Sequence, residues 1–333
     1  MSTSNSSELI ALIFAHTENL EAQTWQNIFD RVTSSLQNAF SDLDGPASPV
    51  TRFLEDGRVA ELRLPSTTSP SLRKCKDWTD GDELQAFQIS HNVEIVLQTG
   101  SLYTSHQRQG LMVFDMDSTL IQQEVIDELA RAVGKYEAVS QITEAAMRGE
   151  EPYTDFEASL RARVGLLEGV PTTIWKDLRE KGIITFTPGG EELVRFLRAK
   201  GWKTAVLSGG FTPLAEWVKE TLRLDYCFAN FLVEEGGVLK GELVQGKPII
   251  HAEQKRELLL EIAGKEGVER ENCVAVGDGS NDLLMMEAAG LGVAFNAKPK
   301  VQRAAPTRLN SKSLLDMAYI LGHTKEEVDQ ALA

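Results

Sequence analysis

Apolar positions along this chain follow two distinct periods. Short continuous runs stand at 111–114 (LMVF), 204–207 (TAVL), 273–276 (CVAV) and 291–295 (LGVAF). Their length and composition are those of strands buried on both faces. Between them apolar residues recur every three or four positions, which predicts helices, so the chain after residue 110 reads as a parallel α/β sheet with helical crossovers. About ninety residues separate the first run from the second, with amphipathic segments near 124–133, 140–148, 155–164 and 172–181. That is too much helix for one crossover and predicts an inserted helical cap. The stretch EEGGVLKGELV, 234–244, predicts a hairpin turned by its two glycines.

The first hundred residues carry a separate pattern. ELIALIFAH reads as a strand, and Trp25, Phe29, Val32, Leu36 and Phe40 then form one apolar helical stripe. GRVAELRLP and VEIVLQTG read as further strands, with a helix around CKDWTDGDELQAF between them. The polar SLYTSHQRQG, 101–110, reads as a connection. The organisation predicted is an N-terminal α+β unit at 1–100, a linker at 101–110, an α/β core at 111–123 and 185–322, and a helical cap at 124–184. There is no internal repeat at solenoid periods and no low-complexity tract.

Composition narrows the function classes. The 333 residues are 42% hydrophobic and 25% charged, with a net charge of −15. Such an acidic balance disfavours nucleic-acid and anionic-membrane partners, which select a basic face. It still admits a small anionic substrate where a metal or a local cluster of cations dominates one cleft. Cys75, Cys227 and Cys273 are scattered and form no C-x-x-C, the pattern of buried thiols in a reducing compartment. The first seven residues, MSTSNSS, lack the positive charge of a signal peptide, and LIALIFA is too short to span a bilayer. A cytoplasmic protein is expected.

The chemistry gathers at strand ends. In an open parallel sheet, ligands bind at the carboxyl ends of the strands. The first strand there runs into DMDST (115–119), the second into SGGF (208–211) and the third into GDGSND (277–282). Taken singly, each has a plain structural reading: an acid pair is usually a turn or a cap, and SGG a flexible turn. A calcium loop fails where Leu120 and Ile126 replace the required glycine and glutamate. A dinucleotide fingerprint fails where Asp282 stands in place of the third glycine. No P-loop and no histidine pair at zinc-ligand spacing occur. Carboxylates crowded on one rim need a cation, and magnesium, with its preference for oxygen ligands, fits, with Asp115 and Asp278 as the natural carboxylates. Asp115 and Asp117 point to the same side if the backbone stays extended.

The set DMDSTLIQQEVIDELA, AAMRGE, DFEASLRARV, SGGF, AEQKREL and VGDGSNDLLMMEAAGLGVAF, in this order, resembles the haloacid dehalogenase superfamily, and within it the phosphatases acting on O-phospho-L-serine. The likeness covers most of 110–322. It implies a Rossmann-like parallel sheet with a helical cap, Mg2+ dependence, and release of L-serine and phosphate, the last step of serine biosynthesis, through an aspartyl phosphate. By that resemblance Asp115 is the nucleophile and a metal ligand. Asp117 is the general acid and then base, and its backbone carbonyl is a further ligand. Asp278 is the remaining metal carboxylate. Ser208 and the Gly209 N–H hold the phosphate, Lys255 offsets its charge, Asn281 reaches the substrate, and Asp282 orients the groups around the metal. In the cap, Glu124 pairs with the substrate ammonium, Arg163 clamps its carboxylate, and Phe156 and Met147 close over it. The 1–100 unit is similar to an ACT-like regulatory module in topology. Another small phosphomonoester, such as phosphothreonine or phosphohomoserine, is the alternative substrate, and a homodimer is compatible with the chain. Asp115 should raise the Asp117 pKa while the metal and Lys255 lower it, a balance that sequence leaves open.

Overall fold

The computed structural model describes residues 7–17, 20–40, 43, 48–68 and 70–333. Residues 1–6, which carry most of the segment read against a signal peptide, lie outside the described residues.

The N-terminal unit runs β1 (Ser7–Ala15), α1 (Ala22–Ala39), β2 (Val50–Glu55), β3 (Val59–Ser66), α2 (Leu72–Thr79), α3 (Asp82–His91) and β4 (Val93–Thr99). Its antiparallel sheet has the order β2-β3-β1-β4, a split β-α-β-β-α-β arrangement with two helices in the second crossover. Alternation along β1 divides its side chains between two cores. Leu9, Ala11 and Ile13 meet Trp25, Ile28, Val32 and Leu36 of α1, while Ile10, Leu12 and Phe14 join the main core of the molecule, with Leu314, Met317 and Ile320. Strand β2 escapes the sequence pattern because it is an edge strand with Val50 and Phe53 exposed. The expected linker is corrected at its start. Residues Gly100–Ser105 form α4, capped where Thr99 accepts from the Leu102 N–H, and Leu102 and Tyr103 are buried.

The larger unit continues through β5 (Leu111–Phe114), α5 (Val125–Ala132), α6 (Tyr136–Arg148), α7 (Phe156–Gly165), α8 (Ile174–Glu180) and α9 (Gly190–Ala199). There follow β6 (Lys203–Phe211), α10 (Thr212–Leu222), β7 (Tyr226–Asn230), the hairpin β8 (Leu232–Glu235) and β9 (Val238–Leu243), and α11 (Ala252–Glu266). The chain closes with β10 (Cys273–Gly277), α12 (Leu283–Ala288), β11 (Leu291–Phe295), α13 (Pro299–Ala304), β12 (Thr307–Leu309), α14 (Met317–Ile320) and α15 (Lys325–Leu332). The six-stranded parallel sheet has the order β12-β11-β10-β5-β6-β7, with the first strand, β5, at the centre and the chain winding away on both sides. Its switch point therefore lies at the carboxyl end of β5, where ligands bind in such sheets. The predicted limit of 322 is too short: Val328 of α15 is buried in the same core, and Arg195 of α9 donates to the Leu332 carbonyl at 3.3 Å.

Helices α5 to α8 rise between β5 and α9, and the β8–β9 hairpin braces them. The Leu239 N–H donates to Val170 O at 2.8 Å, the Gly169 N–H returns to Leu239 O at 2.9 Å, and Trp175 Nε1 donates to Glu234 at 2.9 Å. Among the described residues no helix is long and apolar enough to cross a membrane.

The two units are pinned by charge as well as by apolar packing. Arg58 grips Asp316 with both guanidinium nitrogens at 2.9 and 2.6 Å, and Arg308 and Asn310 share Glu94 at 2.8 and 2.9 Å. Asp316 is almost wholly buried, so removing its partner strands a charge. Arg58→Ala should lose about 2–3 kcal/mol in urea unfolding, reduced from the fully buried case by the partial exposure of the arginine. A loss below about 0.5 kcal/mol would show that this clamp holds nothing.

Candidate active site

Strand pairing sets the site's frame. Phe114 is in register with Val206 on one side and Val276 on the other, and the Asp115 N–H extends the ladder by donating to Val276 O at 2.8 Å. The chain then leaves the sheet in a tight loop over Met116–Leu120. Asp115 accepts the Met116 N–H at 2.7 Å, and Ser118 takes a left-handed φ of 55°. That turn is uncommon for a non-glycine residue. It brings the Ser118 hydroxyl to Glu124 Oε1 at 2.6 Å.

One buried cation organises the acids. Lys255, from the first turns of α11, is fully buried, and its Nζ lies 2.8 Å from Asp115 Oδ1 and 2.6 Å from Asp282 Oδ1. Burial alone would lower its pKa, but the two carboxylates outweigh it and hold the ammonium charged above the ordinary lysine value. Asp282 Oδ2 accepts the Gly279 N–H at 2.9 Å, so both its oxygens are engaged. This suits a residue that orients others.

Asp117 stands in a different environment. Its Oδ2 accepts the Val125 N–H at the start of α5, at 3.1 Å, while its Oδ1 is sealed from solvent with no hydrogen-bond partner among the described residues. Burial, then Glu124 and Asp115, push its pKa well above the usual carboxylate range, and Lys255 only partly opposes them. Of the opposing influences expected from the sequence, those that raise the Asp117 pKa outweigh Lys255.

Asp115, Asp278 and Asp282 each offer a carboxylate oxygen, all within 4.8 Å of one another. Asp278 is raised to about 8 by burial and then by Asp115, Asp282 and Glu124, the mark of negative charge that one lysine does not neutralise. Thr119 Oγ1 donates to its Oδ1 at 3.4 Å. An all-oxygen set with excess negative charge fits a hard divalent cation.

The remaining predicted residues surround a cavity of about 580 Å3, within the range of small-molecule sites. Glu124, Met147, Phe156, Arg163, Gly209, Asn281 and Asp278 line it with Asp115 and Asp117. Arg163 is largely desolvated, which lowers its pKa against the pull of Glu124 and Asp127. Its hydrogen bond among the described residues runs from Nε to Ser159 O at 3.2 Å, so its terminal nitrogens remain for a ligand. Glu124 is raised by burial and by Asp115 and Asp127, despite the Ser118 hydrogen bond. Phe156 packs over Gly209, where an added Cβ would reach the ring at 3.4 Å. Met147 is 56% exposed, at the rim of the cavity, with its sulfur 3.4 Å from Lys298 Nζ. Ser208 is fully buried and, unlike Gly209 and Gly210, does not line the cavity; its Oγ accepts the Gly210 N–H at 2.8 Å.

Several residues of the site went unread in the sequence. Gly210 admits no side chain: a Cβ would sit 3.0 Å from Ser208 Oγ and 3.2 Å from Asp117 Oδ2. Asn230 at the end of β7 is buried and ties the 208–210 stretch to the segment before α11. It donates to Gly209 O at 2.8 Å and accepts the Ile250 N–H at 2.9 Å. Asp127, Lys298 and Lys300 line the cavity mouth.

The clustered acids make metal binding measurable without turnover. Magnesium added to metal-free protein at about a hundred times its dissociation constant should stabilise the fold by about 2.7 kcal/mol, read as a rise in Tm. Asp278→Asn should abolish the rise. A variant that responds like wild type would remove Asp278 from the ligand set.

Comparison with known proteins identifies the family. The family model described as haloacid dehalogenase-like hydrolase matches residues 112–287. Phosphoserine phosphatase of Saccharomyces cerevisiae is 40% identical over 325 residues, covering 97% of this chain and 98% of its own. A probable phosphoserine phosphatase from Vibrio cholerae, solved unliganded, superposes with a TM-score of 0.68 at 31% identity, covering 99% of this chain and 90% of that one. A phosphoserine phosphatase solved as a phospho-aspartyl intermediate analogue is 40% identical, with a TM-score of 0.58 over 64% of this chain and 99% of that one. This chain belongs to the haloacid dehalogenase-like hydrolases and, within them, to the phosphoserine phosphatase family.

Proposed function

We propose that this chain hydrolyses O-phospho-L-serine to L-serine and inorganic phosphate, with Mg2+, through a phosphoryl group held on Asp115. The observation that carries the reading is the contrast between two neighbouring carboxylates. Asp115 is paired with the Lys255 ammonium at 2.8 Å, whereas Asp117 has a buried, unpartnered Oδ1 and a pKa pushed up by burial and by Glu124 and Asp115. One environment suits a nucleophile and the other an acid.

In the first step Asp115 attacks phosphorus, the bond from phosphorus to the serine oxygen breaks, and Asp117 gives its proton to that oxygen. In the second, Asp117 takes a proton from water, which attacks the acyl phosphate and frees Asp115. Ser208, the Gly209 N–H and Lys255 hold the phosphoryl oxygens. Asp115, Asp278 and the Asp117 backbone carbonyl would hold the Mg2+, which when bound supplies positive charge to those oxygens. Asn281 reaches the substrate, and Asp282 orients groups around the metal site. Glu124 meets the substrate ammonium and Arg163 its carboxylate, beneath Phe156 and Met147. The three free cysteines support a reducing, cytoplasmic setting.

Asp115→Asn should abolish phosphate release from L-phosphoserine, and surviving turnover would require another nucleophile. The proton on Asp117 is present below its raised pKa and lost as pH rises through it, so kcat should fall on the alkaline side. Asp117→Asn should cost about 10²–10⁴-fold and erase that alkaline limb. A limb that persists in the variant would assign it to another group.

Arg163→Gln tests the substrate class. It should lower kcat/KM for phosphoserine about a hundredfold while sparing phosphoethanolamine, which lacks the carboxylate. Equal losses on both would contradict the clamp.

A further inference from the structure

The cavity presents an electrostatic problem to its own ligand. Asp115, Asp117, Glu124, Asp127, Glu144 and Asp278 line it, and the whole chain carries −15. A phosphomonoester brings a further charge of about −1.5 to −2 at pH 7. The cations proposed to answer phosphate and carboxylate are largely desolvated: Arg163 lines the cavity, and Lys255 is fully buried outside its lining.

Two cations remain at the mouth. Lys298 and Lys300 flank Pro299 at the start of α13, line the cavity, and are exposed. Among the described residues neither forms an ion pair: Lys298 Nζ lies 3.4 Å from the uncharged sulfur of Met147 and acts only from beyond contact range on Asp127, a carboxylate of the same lining. Neither ammonium is held in a contact ion pair, and Asp127 offsets Lys298 only in part. The segment bearing them is fixed. Gln302 of α13 donates to Ala297 O at 2.6 Å and to Asn310 at 2.9 Å, and its own carbonyl accepts from Lys76 of the N-terminal unit at 3.3 Å. Glu94 of the same unit holds Arg308 and Asn310 just beyond. The pair belongs to the core side of the cavity, facing the Met147 end of α6.

We propose that Lys298 and Lys300 form a capture rim that draws the phosphate dianion into the cavity and determines how well this acidic protein accepts anionic substrates. The proposal rests on the reading of the site as a phosphomonoesterase. Focused charge at a cleft raises encounter with an oppositely charged ligand by about 10-fold or more and fades as salt screens it.

The test uses the full-length, magnesium-loaded protein and the double variant Lys298→Gln/Lys300→Gln, with Lys298→Arg/Lys300→Arg preserving the charge. At low ionic strength the glutamine variant should lose about tenfold in kcat/KM for phosphoserine, with kcat within about twofold. Wild type and the arginine variant should both lose kcat/KM steeply as salt rises, while the glutamine variant responds weakly. Calorimetric affinity for inorganic phosphate should weaken in parallel. An unchanged salt slope in the glutamine variant, or a loss falling on kcat alone, overturns the rim. Phosphate binding with this lysine dependence in a wild type that does not hydrolyse phosphoserine would contradict the substrate assignment while upholding the rim.

Discussion

The site depends on one buried ammonium. Lys255 sits between Asp115 and Asp282 at 2.8 and 2.6 Å, with no exposure to solvent. Without it, acids from two strand ends would face each other in a region of low dielectric, where an unpaired charge costs several kcal/mol. With it, two of the four strand-end acids are satisfied and two are not. Asp117 is left beside negative neighbours, and Asp278 has charge to share with a cation. That uneven distribution leaves one acid paired with a cation, one whose pKa its surroundings push up, and an oxygen-rich cluster that fits a divalent ion, all made from the same residue type.

The fold keeps this distribution in place through backbone contacts. Asp117 is tied to the Val125 N–H, so the acid is held against the start of the first helix of the cap-like layer. Gly210 lets the 208–210 stretch lie against Asp117, and Asn230 fastens that stretch through the Gly209 carbonyl. The N-terminal sheet is packed between its own helices and the main core, and its Glu94 and Arg58 grip the segments 308–310 and 316. It thus supports the α13 side of the cavity mouth.

Much of this was legible in the sequence because the signals were local. Buried parallel strands announce themselves as uninterrupted apolar runs, and LMVF, TAVL, CVAV and LGVAF all became strands of the sheet. The acids that follow them stand at strand ends for the same reason. What escaped was decided by long-range context. β2 is an edge strand whose outer residues meet solvent, so no alternation marks it. α4 is a single capped turn and a half within a polar stretch whose Leu102 and Tyr103 are buried only against distant elements. Asn230 and Gly210 look like ordinary loop residues until the β6 and β7 ends are brought together. Lys298 and Lys300 are two lysines among many, distinguished only by the cavity they face. The state of Asp117 could not be read at all, since it depends on burial and on distances to three charged neighbours.

In the proposed reaction Asp115 carries the phosphoryl group. The most direct measurement is rapid acid quench during turnover on L-phosphoserine, followed by borohydride reduction and peptide sequencing by mass spectrometry. Reduction converts an aspartyl phosphate to homoserine. The account predicts homoserine at position 115 and aspartate at 117 and 278. Unmodified aspartate at 115 at every quench time, while phosphate is being released, would contradict it.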